Sequence, residues 1–247
     1  MASRGELHVY RDPAALARAL ADYFVATGTL SMAERGVFRV ALSGGNTPRA
    51  SYELLGQDPL RSEVSWSDVF IYFSDERCVP PTDEQSNYRM AQRAFLDAIP
   101  IPPANVHRIR GEIDPGHAAN EYASLLRLDL GDAPHLDLVL LGLGKDGHTA
   151  SLFPGTPPDT DDEGLVRAVY SESLISWRVT MTPKLINFAR NVAFAVVGPE
   201  KAEILARVYE GPVDPIKYPA QIIHPVAGRL FWFVDELAAG MLREKAH

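Results

Sequence analysis

Short apolar runs alternate along this chain with stretches whose apolar residues recur every three or four positions, the pattern of strands followed by amphipathic helices. From Asp12 to about Ala33, Leu16, Leu20, Tyr23 and Phe24 fall at helical spacing, with Asp12 placed to cap the helix and Pro13 at its first position. Val37 to Leu42 reads as a buried strand that breaks at Ser43-Gly44-Gly45, and helical spacing resumes from Pro48 to Leu55. The alternation continues with a strand over Val69 to Phe73, helices over Ser86 to Leu96 and Ala118 to Leu128, and an apolar strand over Leu136 to Leu141. Arg178 to Met181 and Val192 to Val197 read as further strands, each followed by a helical stretch, and Phe231 to Val234 leads into a last helix from Asp235. Repeated βαβ punctuation of this kind predicts an α/β fold with a parallel sheet. With no internal repeat or long linker, residues 1–247 are expected to form a single domain, with Ile99 to Pro103 and the acidic Pro154 to Gly164 as surface loops.

Composition narrows the function more than the fold. A formal net charge of -8 argues against a nucleic-acid or anionic-membrane binder, so an anionic ligand must be held by local groups against the overall field. Runs such as Leu230 to Val234 are far short of the roughly 20 residues that span a bilayer. Met1 to Tyr10 lacks the apolar core of a signal peptide. Cys78 is the only cysteine, which precludes an internal disulfide or a thiolate metal cage and fits a reducing compartment. A cytoplasmic location is expected.

In open α/β sheets, ligands bind beyond the carboxyl ends of the strands, so the residues just after each strand are the place to look for chemistry. Ser43-Gly44-Gly45-Asn46-Thr47-Pro48 joins a buried strand to a helix; its glycines let backbone N–H groups approach an anion, and Thr47 adds a hydroxyl donor. The same glycines would equally serve a tight turn. Asp75-Glu76-Arg77 follows the strand ending at Phe73; it is either a solvated turn or a site in which Arg77 holds a carboxylate or polarises a carbonyl. Gly142-Leu143-Gly144-Lys145-Asp146-Gly147-His148-Thr149 follows the most apolar strand and is the most informative stretch. Imidazoles titrate near pH 6.5, so His148 can take a proton from water and return it to a leaving oxygen, with Asp146 orienting the ring. Arg178 and Lys201, placed at the same sheet edge, would neutralise a phosphate. No third metal ligand accompanies Asp146 and His148, and no metal is expected.

The order and wording of these clusters resemble the 6-phosphogluconolactonases. The resemblance rests on Ala41 to Pro48, Ser74-Asp75-Glu76-Arg77 and Gly142 to Pro154. It extends through Arg178-Val179-Thr180-Met181-Thr182, Ile186-Asn187-Phe188-Ala189-Arg190, Gly198-Pro199-Glu200-Lys201-Ala202 and Pro219-Ala220-Gln221. It implies a Rossmann-like, mostly parallel sheet with helices on both faces, and hydrolysis of 6-phosphogluconolactone to 6-phosphogluconate in the pentose phosphate pathway without a cofactor. By the same resemblance His148 is the acid/base residue, and Arg77 and Asp75 line the sugar end. Gly44, Gly45, Thr47, Arg178 and Lys201 then surround the phosphate, and Ser43, Asn46, Gly144 and Lys145 from the two Gly-rich turns complete the expected substrate-binding set. Asn46 stands where the family commonly has Ser, which alters one side-chain donor and leaves the backbone cradle intact.

Two other readings compete. Amino-sugar phosphate deaminases look similar in fold and in both turns, but they carry a Glu five residues after the His, where this chain has Phe153. A sugar-phosphate sensor would need the anion site but not the acid/base set His148, Asp146 and Arg77. The expected partner is therefore a sugar-phosphate lactone, with no nucleic acid or membrane, bound by a monomer or weak homo-oligomer.

Overall fold

The computed structural model describes residues 4–131, 134–155, 164–172 and 174–243. In chain order its strands are β1 (Glu6–Tyr10), β2 (Phe38–Leu42), β3 (Val69–Phe73), β4 (Asp75–Arg77) and β5 (Leu138–Gly142). They are followed by β6 (Val166–Ser171), β7 (Ser176–Met181), β8 (Asn191–Val196) and β9 (Arg229–Asp235). The helices are α1 (Pro13–Arg35), α2 (Asn46–Leu55), α3 (Leu60–Glu63), α4 (Asn87–Ala91), α5 (Pro115–Leu130), α6 (Pro183–Asn187) and α7 (Ala202–Tyr209). No helix among the described residues is long and apolar enough to cross a membrane.

Six strands form a parallel sheet in the order β1-β9-β8-β5-β2-β3, flanked by helices. The interior strands are buried nearly end to end, as strands covered on both faces must be, and this is why they read as unbroken apolar runs. α1 begins where the Asp12 carboxylate accepts the Ala15 N–H at 2.7 Å and stops at Gly36, whose φ of 78° ends the helix. Its buried face carries Leu16, Leu20 and Phe24, and Phe24 meets Phe38 of β2 edge-on with centroids 5.1 Å apart.

From β2 the chain runs outward to β3, then crosses back to β5 on the other side of β2 and continues to β8 and β9. The direction of winding therefore reverses between β2 and β5, which opens a crevice at their carboxyl ends. At the opposite, amino-terminal ends, the buried Asp137 ties several elements together. One carboxylate oxygen accepts from Arg35 Nε at 3.0 Å, and the other accepts from the Arg39 N–H at 2.8 Å. Arg190 lies 3.5 Å from the same group.

A second, antiparallel sheet in the order β4-β7-β6 branches from the end of β3. Ser74 is the junction: its N–H donates to Leu42 O in the parallel sheet, and its carbonyl accepts from Met181 N beyond the branch, both at 2.8 Å.

The sequence expectations differ from this structure in places, each with a local cause. β4 consists of three charged residues, which hid it from any apolar pattern, and the edge strand β1 and the polar-alternating β6 were also not expected. The helix expected over Ser86 to Leu96 is an α-helical turn that widens to π geometry over Gln92–Leu96. The helix expected from Asp235 is absent, because β9 extends to Asp235 and only a 3₁₀ turn, Ala238–Met241, follows. The acidic loop over 159–163 lies outside the described residues.

Asp137→Ala is expected to destabilise the protein by about 2–3 kcal/mol, since it strands the part-buried Arg39 N–H and removes one of the two carboxylates that meet Arg35. Urea unfolding should show that loss with an unchanged m-value, while steady-state kinetics at the far end of the sheet stay at wild-type values.

Candidate active site

β2 ends in a turn held by α2. The Tyr52 hydroxyl accepts from Ser43 N at 3.2 Å and donates to Ser43 O at 3.1 Å, fixing the backbone where the strand stops. Gly45, at φ 107°, caps α2 with no side-chain hydrogen bond, so the first amides of this ten-residue helix and the positive end of its dipole are open to the crevice. Gly44 is required for space: a Cβ there would lie 1.9 Å from Asn87 Oδ1. Glycine at both positions thus does more than form a turn.

β5 ends in a second turn. Gly144 N–H donates to His148 O at 2.8 Å and Gly147 N–H donates to Gly144 O at 3.1 Å, while the Thr149 hydroxyl ties the loop back to Gly142 O at 2.8 Å. The tight loop brings Asp146 under His148. Asp146 Oδ1 accepts from the His148 N–H at 3.1 Å and lies 2.5 Å from ring Nδ1. A carboxylate in that place keeps the proton on Nδ1 and leaves the Nε2 lone pair available. Burial alone would raise the Asp146 carboxyl, but the hydrogen bond and charge of His148 outweigh it and hold the group below the usual carboxylate range. The His148 side chain remains 30% exposed, and the Phe153 ring packs against it at 5.1 Å. Gly144 has no room for a side chain either, since a Cβ would sit 2.1 Å from His148 Nδ1. Its N–H is engaged with His148 O and is not available to a substrate oxyanion.

The third contribution comes from β4 and the loop after it. Asp75 is buried and accepts the Ser151 hydroxyl at 2.7 Å, which joins β4 to the His148 turn. Glu76, also buried, accepts from the N–H groups of Arg77, Asn87 and Tyr88 and from the Ser86 hydroxyl. Burial raises its pKa in spite of those donors. Arg77 extends past them and donates through Nη1 to Gln85 O at 2.6 Å and Asn87 Oδ1 at 2.7 Å. Lys201, beyond β8, donates to Leu143 O at 2.7 Å. Burial lowers its pKa, Glu200 opposes that shift and Lys145 adds to it.

These pieces enclose a cleft of about 640 Å³ at the β2/β5 crevice, and every candidate residue from the sequence except Arg178 lines it. Arg178, expected at the phosphate, is not among the residues that line this cleft. It sits on β7 directly across from Arg77, only 6% exposed, with Nη1 lacking a hydrogen-bond partner. It belongs to the branched antiparallel sheet, which sequence spacing does not reveal. Burial first and Arg77 second push its pKa down. Asn87, Glu200 and Ser151 were missed. Ser86 opened an expected helix, but nothing in the sequence alone marks the neighbouring Asn87. Among the described residues, no group of three or more His, Cys, Asp or Glu could hold a metal ion.

The family profile described as glucosamine-6-phosphate isomerases/6-phosphogluconolactonase matches residues 11–232. The 6-phosphogluconolactonase of Synechocystis sp. is 41% identical over 220 residues, covering 87% of this chain and 89% of its own. A protein of Oryza sativa subsp. japonica named probable 6-phosphogluconolactonase 2 is 33% identical over 253 residues, covering 96% and 90%. The solved 6-phosphogluconolactonase of Trypanosoma cruzi superposes with a TM-score of 0.86 at 29% identity over 99% of both chains. A monomeric glucosamine-6-phosphate deaminase superposes with a TM-score of 0.82, but at 21% identity it is informative about the fold alone.

Gly144→Ala is expected to leave the protein folded and to break the Asp146–His148 contact. In proton NMR the downfield Nδ1–H resonance of His148 should be lost or moved upfield, while circular dichroism stays unchanged.

Proposed function

The chain belongs to the family of glucosamine-6-phosphate isomerases and 6-phosphogluconolactonases, and we propose that His148 is the acid/base group with which its cleft opens a lactone. The reaction is hydrolysis of 6-phosphogluconolactone to 6-phosphogluconate in the pentose phosphate pathway. The observation that carries the assignment is the 2.5 Å contact of Asp146 with His148 Nδ1, beside a phenyl ring at 5.1 Å in the place where a deaminase needs a carboxylate. Phe153 can relay no proton, so the ring-opening partner of His148 in an amino-sugar deaminase is missing.

In this reading the phosphate rests on the open amides of α2 at Gly45, Asn46 and Thr47, with Lys201 and Lys145 supplying positive charge. His148 Nε2 takes a proton from water, whose oxygen bonds to the lactone carbonyl carbon. The carbonyl π electrons move to oxygen, and Arg77 faces the resulting oxyanion. As the tetrahedral intermediate collapses, the bond from carbon to the ring oxygen breaks and His148 returns its proton to that oxygen. Asp146 stays ionised throughout and stabilises the imidazolium. Asp75, spent on Ser151 and Asn87, shapes the sugar end. We take the protein to be a cytosolic monomer or weak homo-oligomer, supported by its single thiol and by a cleft built from this one chain.

The test is hydrolysis of freshly generated 6-phosphogluconolactone, with spontaneous hydrolysis subtracted. His148→Ala should lower kcat by about 10²–10⁴-fold, and turnover close to wild type would remove His148 from the mechanism. Lys201→Ala should chiefly raise KM.

The rate profile supplies a second check. Because Asp146 is held below the usual carboxylate range, its charge persists as the pH falls through that range and is lost only below it. A loss of rate above that range is therefore not the protonation of Asp146. Asp146→Asn removes the negative charge that stabilises the imidazolium formed during turnover, so the maximal rate should fall. An Asp146→Asn variant with wild-type turnover would contradict the assigned pairing.

A further inference from the structure

Arg77 differs from Arg35 and Arg108, two other arginines with partly buried side chains, in how its charge is balanced. Arg35 and Arg108 each meet a carboxylate at 3.0 Å or closer. Both acceptors of Arg77 among the described residues, Gln85 O and Asn87 Oδ1, are neutral. Its two acidic sequence neighbours are occupied elsewhere. Glu76 is saturated by three backbone amides and the Ser86 hydroxyl at the start of α4, and Asp75 by Ser151 and Asn87. Directly across the β4–β7 ladder stands another cation, Arg178. The guanidinium is thus held in place by neutral acceptors, with no carboxylate in ion-pair contact among the described residues.

Asn87 is the group that makes this arrangement possible. Its Oδ1 accepts from Arg77 at 2.7 Å, and its Nδ2 donates to Asp75 O at 2.9 Å and to Asp75 Oδ1 at 3.2 Å. Its own backbone N–H is held by Glu76 at 2.7 Å, and it packs so closely on the anion-binding turn that no Cβ fits at Gly44. An amide is the functional group that presents an acceptor to Arg77 and a donor to Asp75 at once without adding charge. A carboxylate at this position would neutralise Arg77 and repel Asp75.

We propose that Asn87 is a positioning residue for the reaction: it aims the Arg77 guanidinium at the developing oxyanion and keeps its positive charge available by offering a neutral acceptor. This rests on the lactonase reading above. Asn87 borders the cleft, but its amide is engaged by Arg77 and Asp75, and the role assigned to it is exerted through Arg77.

The experiment is a double-mutant cycle on the full chain with Asn87→Ala, Arg77→Ala and the pair, read as kcat and KM for lactone hydrolysis and as calorimetric affinity for 6-phosphogluconate. Asn87→Ala should lower kcat by about tenfold or more, in the range of a lost or misaligned oxyanion donor, with KM within about twofold, and should have no further effect in the Arg77→Ala background. Asn87→Asp should be at least as slow as Asn87→Ala, because it quenches the charge that the alanine variant leaves intact. Equal losses of kcat in both backgrounds, or an Asn87→Asp variant that works as well as wild type, would overturn the proposal. Should Asn87→Ala not fold, Asn87→Ser is read by the same criteria. A wild-type protein without lactonase activity would defeat the underlying reading instead. The cycle read as 6-phosphogluconate affinity would then still report whether Asn87 and Arg77 are coupled.

Discussion

The reversal of winding between β2 and β5 is the constraint on which everything at the site depends. Two parallel strands that sit side by side, yet send their chains to opposite sides of the sheet, leave a crevice that no connection covers. One wall is then a helix N-terminus and the other a Gly-rich loop. The antiparallel branch at Ser74 adds the third wall by turning the chain after β3 back toward the crevice. Sheet topology thus gathers groups more than a hundred residues apart in sequence, such as Thr47 and Lys201.

A chain of net charge -8 that binds an anion has to solve its electrostatics locally. It does so by assigning its acids elsewhere. Asp146 is committed to His148, Asp75 to a hydroxyl and an amide, and Glu76 to the backbone at the start of α4. Asp75 and Asp146 at the cleft, and the neighbouring Glu76, are thereby paired with other groups and make no ion pair with Arg77. The partial burial that lowers the Lys201 pKa also strengthens its field inside the cleft, where water screens it less.

Much of this was legible in the sequence, because buried parallel strands announce themselves as apolar runs and Gly-rich turns mark where they end. β2, β3, β5, β8 and β9 fall where hydrophobicity placed them, within a few residues. What was hidden is what hydrophobicity does not encode. β4 is a strand made of Asp, Glu and Arg, stabilised by pairing with β7 and by the capping role of Glu76. Without it, Arg178 looked like a residue of the main sheet edge, when it is Arg77's buried cross-strand neighbour. Asn87 was invisible for a related reason. Its importance lies in three contacts to residues distant along the chain, and a lone Asn after a helix cap carries no periodic signal.

The contact between Gly44 and Asn87 also bears on how this site can change over evolutionary time. With 1.9 Å between a hypothetical Cβ and Oδ1, no side chain enters at position 44 while Asn stays at 87. Truncating Asn87 first would leave Arg77 with Gln85 O alone before any benefit at position 44 could arise. The two positions are therefore coupled, and a side chain at 44 is expected to need a change at 87, whereas Asn46 and Glu200, which also line the cleft, stand outside this contact.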